Sequence, residues 1–323
     1  MKILVTGGSG YIGSVTVEQL LERGHEVTVF DNLERGHREA VDPRARLIVG
    51  DLRQRESIRA ALGEARPEAV VHFAAYALVG ESMLDPDLYF SNNVGGGLNL
   101  AAAMKDAGVR RLVFSSTCAV YGVPERVPIT EDLPKNPANP YGESKLQFEK
   151  ILRWYEECHG FETVRLRYFN AAGATERFGE DHDPESHIIP NVLKVALGQA
   201  DAVKIFGNDY KTADGTCVRD YIHILDLAQA HILAVEGGKP GAYNLGNGSG
   251  YSVSQVVQTA REVTGHPIPA EFHPRRPGDP DALVADARLA ARELGWKPRY
   301  PQLKSIVESA WNWTRRHPRG YRA

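Results

Sequence analysis

Tyrosine is a poor base near neutral pH, because its phenol ordinarily ionises only at about 10. In Tyr141-Gly142-Glu143-Ser144-Lys145 a lysine follows such a tyrosine at i+4. On a helix the two side chains share one face, a turn apart. A neighbouring ammonium favours the phenolate. The spacing therefore predicts a lowered phenol, able to take a proton from an alcohol while a hydride leaves the same carbon. Taken alone, the pattern also arises as a plain surface pair. Upstream, Ser115-Ser116-Thr117 closes an apolar run. The Thr117 hydroxyl could hydrogen-bond the reacting oxygen and relay its proton, or it could cap a turn.

A hydride needs an acceptor, and the amino-terminal segment suggests one. In Gly7-Gly8-Ser9-Gly10-Tyr11-Ile12-Gly13, glycines at 7, 10 and 13 follow an apolar run and open a helical pattern. Glycine there allows a tight turn and close approach of the backbone to a pyrophosphate. The new helix offers its free N–H groups to the same phosphates. Asp31 ends the next apolar run. A carboxylate at that point accepts hydrogen bonds from an adenosine ribose and repels a 2′-phosphate, which favours NAD over NADP. Asp51 ends the third run and reads either as a partner of the adenine amino group or as an exposed turn residue.

These groups must be positioned by alternating elements. Strands are predicted over 3–6, 26–30, 46–50, 69–73, 111–115 and 163–169, as short runs of Val, Ile, Leu and Phe between turn residues. Helices are predicted over 11–23, 54–64, 87–107 and 141–159. That alternation gives a doubly wound parallel α/β sheet of the Rossmann kind, whose ligands sit at the strands' carboxyl ends. After Asn170 the character changes. A polar loop over 171–185 leads to helices near 189–198, 224–235 and 252–264 and strands at 203–206 and 242–245. A tail rich in Pro, Arg and His spans 267–281. We expect residues 1–170 to form a nucleotide-binding domain. Residues 171–323 are expected to form mainly a smaller α/β substrate domain, with some segments returning to the main sheet.

The net charge of −3 argues against a nucleic-acid partner. Three cysteines, Cys118, Cys158 and Cys217, are scattered without a CxxC. No metal site is expected, and a reducing cytoplasm is. No apolar run approaches membrane-spanning length, and the first residues are too short a run for a signal segment.

Further motifs extend along the chain: Asp31-Asn32-Leu33, His72-Phe73-Ala74-Ala75, Val79-Gly80-Glu81-Ser82, Asn92-Asn93-Val94 and Tyr168-Phe169-Asn170. Phe206-Gly207-Asn208-Asp209-Tyr210, Asp214-Gly215-Thr216, Val218-Arg219-Asp220-Tyr221-Ile222-His223, Asn244-Leu245-Gly246 and Arg275-Arg276-Pro277-Gly278-Asp279 follow. With the glycine motif, these resemble the UDP-glucose 4-epimerase (UDP-galactose 4-epimerase) family of extended short-chain dehydrogenases/reductases over essentially the whole chain. The resemblance implies reversible inversion at C4 of a UDP-sugar, through a 4-keto intermediate and NAD that stays bound, in a homodimer built from helices 87–107 and 141–159.

Carried over by position, Thr117, Tyr141 and Lys145 would be catalytic. Gly7, Gly10, Tyr11, Ile12, Gly13, Asp31, Asn32, Asp51, Leu52, Phe73, Ala74, Ala75, Asn92, Ser115, Tyr141, Lys145 and Tyr168 would touch the cofactor. Thr117, Tyr141, Asn170, His187, Ile188, Phe206, Arg219, Arg276 and Asp279 would hold the UDP-sugar. Two guanidiniums suit a diphosphate. Phe206 could stack on uracil, or it could be core. Thr117 keeps the hydroxyl where many members have serine. Ala77 and His187 stand where some members have lysine and asparagine, and Leu283 lies where the family varies the residue beside an N-acetyl group. A nucleotide-sugar 4,6-dehydratase would need an acid and a base directly after Thr117. Cys118-Ala119 supplies neither. C4 epimerisation of UDP-GlcNAc, UDP-xylose/arabinose or UDP-glucuronate stays open, as does a non-catalytic NAD-binding regulator, which the intact Thr117, Tyr141 and Lys145 oppose.

Overall fold

The computed structural model describes residues 1–276 and 278–322. Strands β1 (Lys2–Thr6), β2 (Glu26–Asp31), β3 (Arg46–Val49), β4 (Ala69–His72), β5 (Arg111–Thr117) and β6 (Glu162–Tyr168) form one parallel sheet. Their interiors are apolar on both sides because both faces are covered. Helix α1 (Tyr11–Glu22) covers one face with Val15, Val17 and Leu20. Helices α2 (Arg55–Ala65), α5 (Gly97–Asp106) and α6 (Pro140–His159) cover the other, burying Ile58, Leu62, Leu100, Met104, Phe148 and Leu152.

The sheet order is β10-β6-β5-β4-β1-β2-β3, where β10 is Gly241–Leu245. Winding reverses between β1 and β4, and at such a point the strand ends open a crevice for a ligand. The seventh strand arrives late in the chain: β10 pairs with β6 in parallel, Gly241 opposite Val164 through Leu245 opposite Tyr168. Helix α8 (Ile224–Val235) packs beside α1 on the same face.

The helix expected over 87–107 is present over 86–106, widened in its middle. Short helices α3 (Val79–Leu84) and α4 (Pro86–Tyr89) lead into a wide, π-type turn at Phe90–Gly96 before α5. The reason is a set of contacts with residues distant in sequence. The Asn93 side chain accepts from Tyr76 N and donates to Tyr76 O and to Ser144 Oγ, each at 3.0 Å. A widened turn carries it there, and the poor helix formers Gly95, Gly96 and Gly97 allow the distortion.

The remaining elements build a second, smaller layer. Strand β9 (Val218–His223) pairs with β7 (Asn170–Ala172), β11 (Gly250–Ser252) and β13 (Ala282–Leu283). Strands β8 (Val203–Phe206) and β12 (Ala270–His273) form a separate pair, so the tail rich in Pro, Arg and His contains a strand. Helices α7 (Ile188–Ala196), α9 (Val253–Thr264) and α11 (Leu303–Arg316) enclose its core around Val192, Ile205, Val256 and Ile306. Helix α10 (Arg288–Leu294) lies beside β10. Among the described residues, no helix is long and apolar enough to cross a membrane.

Candidate active site

The glycine turn sits at the carboxyl end of β1. Gly7 has φ +74°, and a side chain there would run into Ala74 Cα at 2.8 Å and the Phe73 carbonyl carbon at 2.9 Å. One on Gly13 would strike the Gly7 carbonyl and Gly8 Cα. Both glycines are therefore demanded by the fold itself. Gly10 differs: a methyl group there meets only Gly7 O, at an ordinary 3.5 Å. It is also the first residue of α1's amino terminus, which no side chain caps. Unpaired N–H groups at that end suit a phosphate. Asp31, at the end of β2, accepts from Ser9 N at 3.1 Å and Leu33 N at 2.9 Å and is buried. The residues present thus fit a dinucleotide.

Around this turn lie the other expected cofactor residues. Asn32 is exposed and bonds Glu34, while Arg53 grips Asp51 and holds its carboxyl below the usual range. Leu52 and Asn92 are buried, Leu52 against Gly96. Ala74 N bonds Thr6 O at 3.1 Å, and Phe73 packs on His231 with ring centres 4.6 Å apart. Tyr11 donates its hydroxyl proton to Gly173 O at 2.6 Å, which ties the turn to the segment after β7.

Thr117, Tyr141 and Lys145 meet at the carboxyl end of β5. Asn139 caps α6 by accepting from Gly142 N at 2.8 Å, and Pro140 occupies the first turn, so the helix begins just before Tyr141. Lys145 is buried one turn below. It donates to Ser115 O at 2.9 Å and lies 5.0 Å from the centre of the Phe114 ring. Ser115 Oγ in turn bonds the Tyr168 hydroxyl. Burial pulls the Lys145 ammonium down to about 7, and the Glu149 carboxylate works against that. The lowered phenol expected from spacing is not found in the chain alone. Burial pushes Tyr141 up to about 12, because a desolvated phenolate is costly, and the Thr117 hydrogen bond pulls only partly back.

Behind Lys145 is a buried ion pair that spacing did not single out. Glu149 accepts from Arg167 Nε at 2.9 Å, from Arg167 Nη2 at 2.5 Å and from Ser116 Oγ at 2.6 Å. Arg167 also donates to Tyr121 Oη at 2.9 Å, and Tyr121 donates to Asn244 Oδ1 at 2.8 Å. The only sequence signal was Glu149 at i+4 from Lys145 on the same helix face.

The expected sugar-nucleotide residues line the second layer. Asn170 donates to Asp220 O at 3.0 Å. Arg219 pairs with Asp279 at 2.5 Å, and Tyr210 donates to the other Asp279 oxygen at 3.2 Å. The Arg276 guanidinium lies over the Phe206 ring, 4.3 Å from its centre, which brings two of the expected residues together. Asp220 organises this wall by accepting from Asn247, Gly248 and Ala285 N at 2.8 to 3.0 Å. Leu283 packs with Cys118 against Val120 and Phe169. His187 caps the start of α7 with its backbone, beside Ile188, and its ring is drawn into a cluster with Glu180, His182 and Glu185. The two carboxylates there raise His182 to about 9 and His187 to about 10.

A reversing parallel sheet, a glycine turn at the end of β1 and a Tyr-Lys pair at the end of β5, on the same carboxyl edge, define a nicotinamide-dependent fold. A model of the NAD dependent epimerase/dehydratase family matches residues 3–246, and the chain belongs to that family. Among its curated relatives are UDP-glucose 4-epimerases. It is 53% identical to the one from Halalkalibacterium halodurans, across 99% of this chain and 98% of the relative. It is 50% identical to the one from Lacticaseibacillus casei, across 99% of both. A crystal structure of UDP-glucose 4-epimerase superposes with a TM-score of 0.97 at 49% identity, covering 99% of both chains. The enzyme from Bifidobacterium longum in complex with NAD+ and UDP gives 0.95 at 40% identity, covering 99% of this chain and 100% of that one.

Proposed function

We propose that this protein interconverts UDP-glucose and UDP-galactose by inverting C4 through a transient 4-keto sugar, with NAD retained through turnover. The observation that carries this reading is the meeting of Thr117, Tyr141 and Lys145 at the end of β5, beside the glycine turn. Its support is full-length likeness to UDP-glucose 4-epimerases. NAD, held by the glycine turn and Asp31, would supply a hydride acceptor and a cationic ring that favours the phenolate.

The chain's own residues do the rest. Tyr141 takes the C4 hydroxyl proton and returns it, and Thr117 hydrogen-bonds the same oxygen. Lys145 is fixed by Ser115 O, so its charge stays beneath the phenol. Gly10 leaves room for the pyrophosphate, and Asp31 receives the adenosine ribose. Arg219 and Arg276 hold the diphosphate, which lets the keto sugar turn over between hydride removal and return. Arg219 leaves Asp279, and Arg276 leaves Phe206, as the nucleotide enters.

We read residues 1–170 as the NAD unit and the second layer as the sugar unit. A homodimer through α5 and α6 is part of the same reading, supported by Leu98 and Trp154, which are apolar and exposed on those helices. A cytoplasmic location fits the three unpaired cysteines. The direct test is incubation of purified protein with UDP-galactose. Appearance of UDP-glucose is expected, and a protein that carries NAD yet leaves UDP-galactose unchanged refutes the assignment.

A further inference from the structure

Between β7 and α7 the chain carries Glu180-x-His182-x-x-Glu185-x-His187, with no cysteine near. We propose that these four side chains form a closed site for a structural zinc ion. The ion fastens the segment that covers the cofactor turn.

One donor atom from each residue lies within 4.8 Å of all the others. His182 Nδ1 is 3.2 Å from Glu180 Oε1 and 3.6 Å from Glu185 Oε2. His187 Nδ1 is 2.8 Å from Glu180 Oε1 and 2.9 Å from Glu185 Oε1. Four ligands placed tetrahedrally at zinc bond lengths of ~2.0–2.1 Å stand about 3.3–3.4 Å apart. The observed spacings bracket that edge, so a small adjustment completes the tetrahedron.

A second observation concerns His182 alone. Its Nδ1 is buried and makes no hydrogen bond, although carboxylate oxygens surround it. Two carboxylate oxygens stand 3.2 Å and 3.6 Å from it, and neither is in hydrogen-bonding geometry. That is the geometry of a ligand, and a costly one for an orphaned polar atom.

Charge allows two states of this cluster. The Glu180 and Glu185 side chains are only 7% and 3% exposed. Two buried carboxylates need two positive charges close by. One divalent cation with neutral imidazoles supplies them, and so do two protonated imidazoles. These two states differ by two protons and exclude each other. Two nitrogens and two oxygens in a four-coordinate, closed set suit zinc. Calcium takes six to eight oxygens, and magnesium takes an octahedron of them.

The site's position states its purpose. The Tyr11 ring lies edge-on to His182, 6.1 Å away, and its hydroxyl holds Gly173. His37 Nε2 is 2.9 Å from Asp181 O, and Tyr321 N donates to the Asp181 carboxylate. His187 then leads directly into α7. An ion bound by all four residues sets the cover over the glycine turn and the start of α7 together. It takes His187 Nδ1 and leaves Nε2 for a ligand.

The test uses the full chain, stripped with chelator and titrated with Zn2+ alone. One tightly held zinc per chain is expected by elemental analysis. X-ray absorption should show only N and O neighbours at about 2.0–2.1 Å. His182→Asn and Glu180→Gln should each weaken binding by at least about 100-fold, beyond the range reached by residues that merely orient ligands. Added Zn2+ should raise the melting temperature of the parent protein and leave that of the variants unchanged. Binding below one zinc per chain, sulfur in the coordination shell, or undiminished binding in both variants overturns the proposal. Should the variants misfold, the parent protein's stoichiometry and absorption spectrum decide alone.

Discussion

Lys145 is held from above and behind. The Ser115 carbonyl fixes its ammonium, and Glu149 steadies its charge. Tyr141 is the group that moves the proton, so Tyr141→Phe should cut turnover by about 10²–10⁴-fold, the usual reach of acid–base catalysis. The ring's edge-on contact with Tyr89 survives, so fold and bound NAD should survive as well. Circular dichroism, cofactor content and turnover on UDP-galactose check this, and near-normal turnover would remove Tyr141 from the mechanism. Glu149→Gln tests the support. It strips a buried guanidinium of its counter-charge, and breaking such a pair costs about 3–5 kcal/mol. Urea melts should show that loss, and a loss under about 1 kcal/mol would mean the pair is incidental. Tyr141 and Lys145 were legible because both sit on one helix at i+4. Arg167 was not, because its partner lies across a helix–strand contact that no local spacing encodes.

At the scale of elements, the glycine turn separates two demands that look alike as letters. Gly13→Ala should destabilise the free protein by about 1–3 kcal/mol, since the new methyl group strikes the Gly7 carbonyl. Gly10→Ala should leave stability nearly unchanged and cost cofactor binding instead. Melting curves with and without added NAD distinguish them, and equal destabilisation by both would defeat the distinction. Alternating apolar runs and helices made the parallel sheet readable within a residue or two at most boundaries. The helix over 87–107 was legible as a whole, while its widened middle was not, because that depends on Asn93 reaching Tyr76 and Ser144, both distant in sequence. The polar stretch after Asn170 read as a plain loop. Its four converging donors were invisible to a search for zinc that looked only for cysteine.

For the whole molecule, buried histidines set the acid limit. His72, His223 and His231 are desolvated, which lowers them to about 3, 4 and 4. Unfolded, each titrates near ~6.5. Their contribution is therefore complete above about pH 6.5 and is lost as pH falls toward the folded values, because the unfolded chain binds those protons first. The melting temperature should drop steadily between about pH 6.5 and 4. His231→Phe, replacing a ring whose Nε2 has no partner, should flatten part of that slope. A melting temperature constant over the whole interval would contradict this account. The parallel sheet was legible as a class, while its full width was not. Nothing in the run at 242–245 says that it lies beside β6 rather than in the second layer. That return has a consequence for modularity. A chain severed after residue 170 would leave β6 as a bare, sticky border, and a graft of a foreign carboxyl-terminal half would lack the strand that seals it. The chain leaves the main sheet after β6, returns to it once at β10 and then leaves again, so exchanging everything after residue 170 exchanges part of the sheet as well.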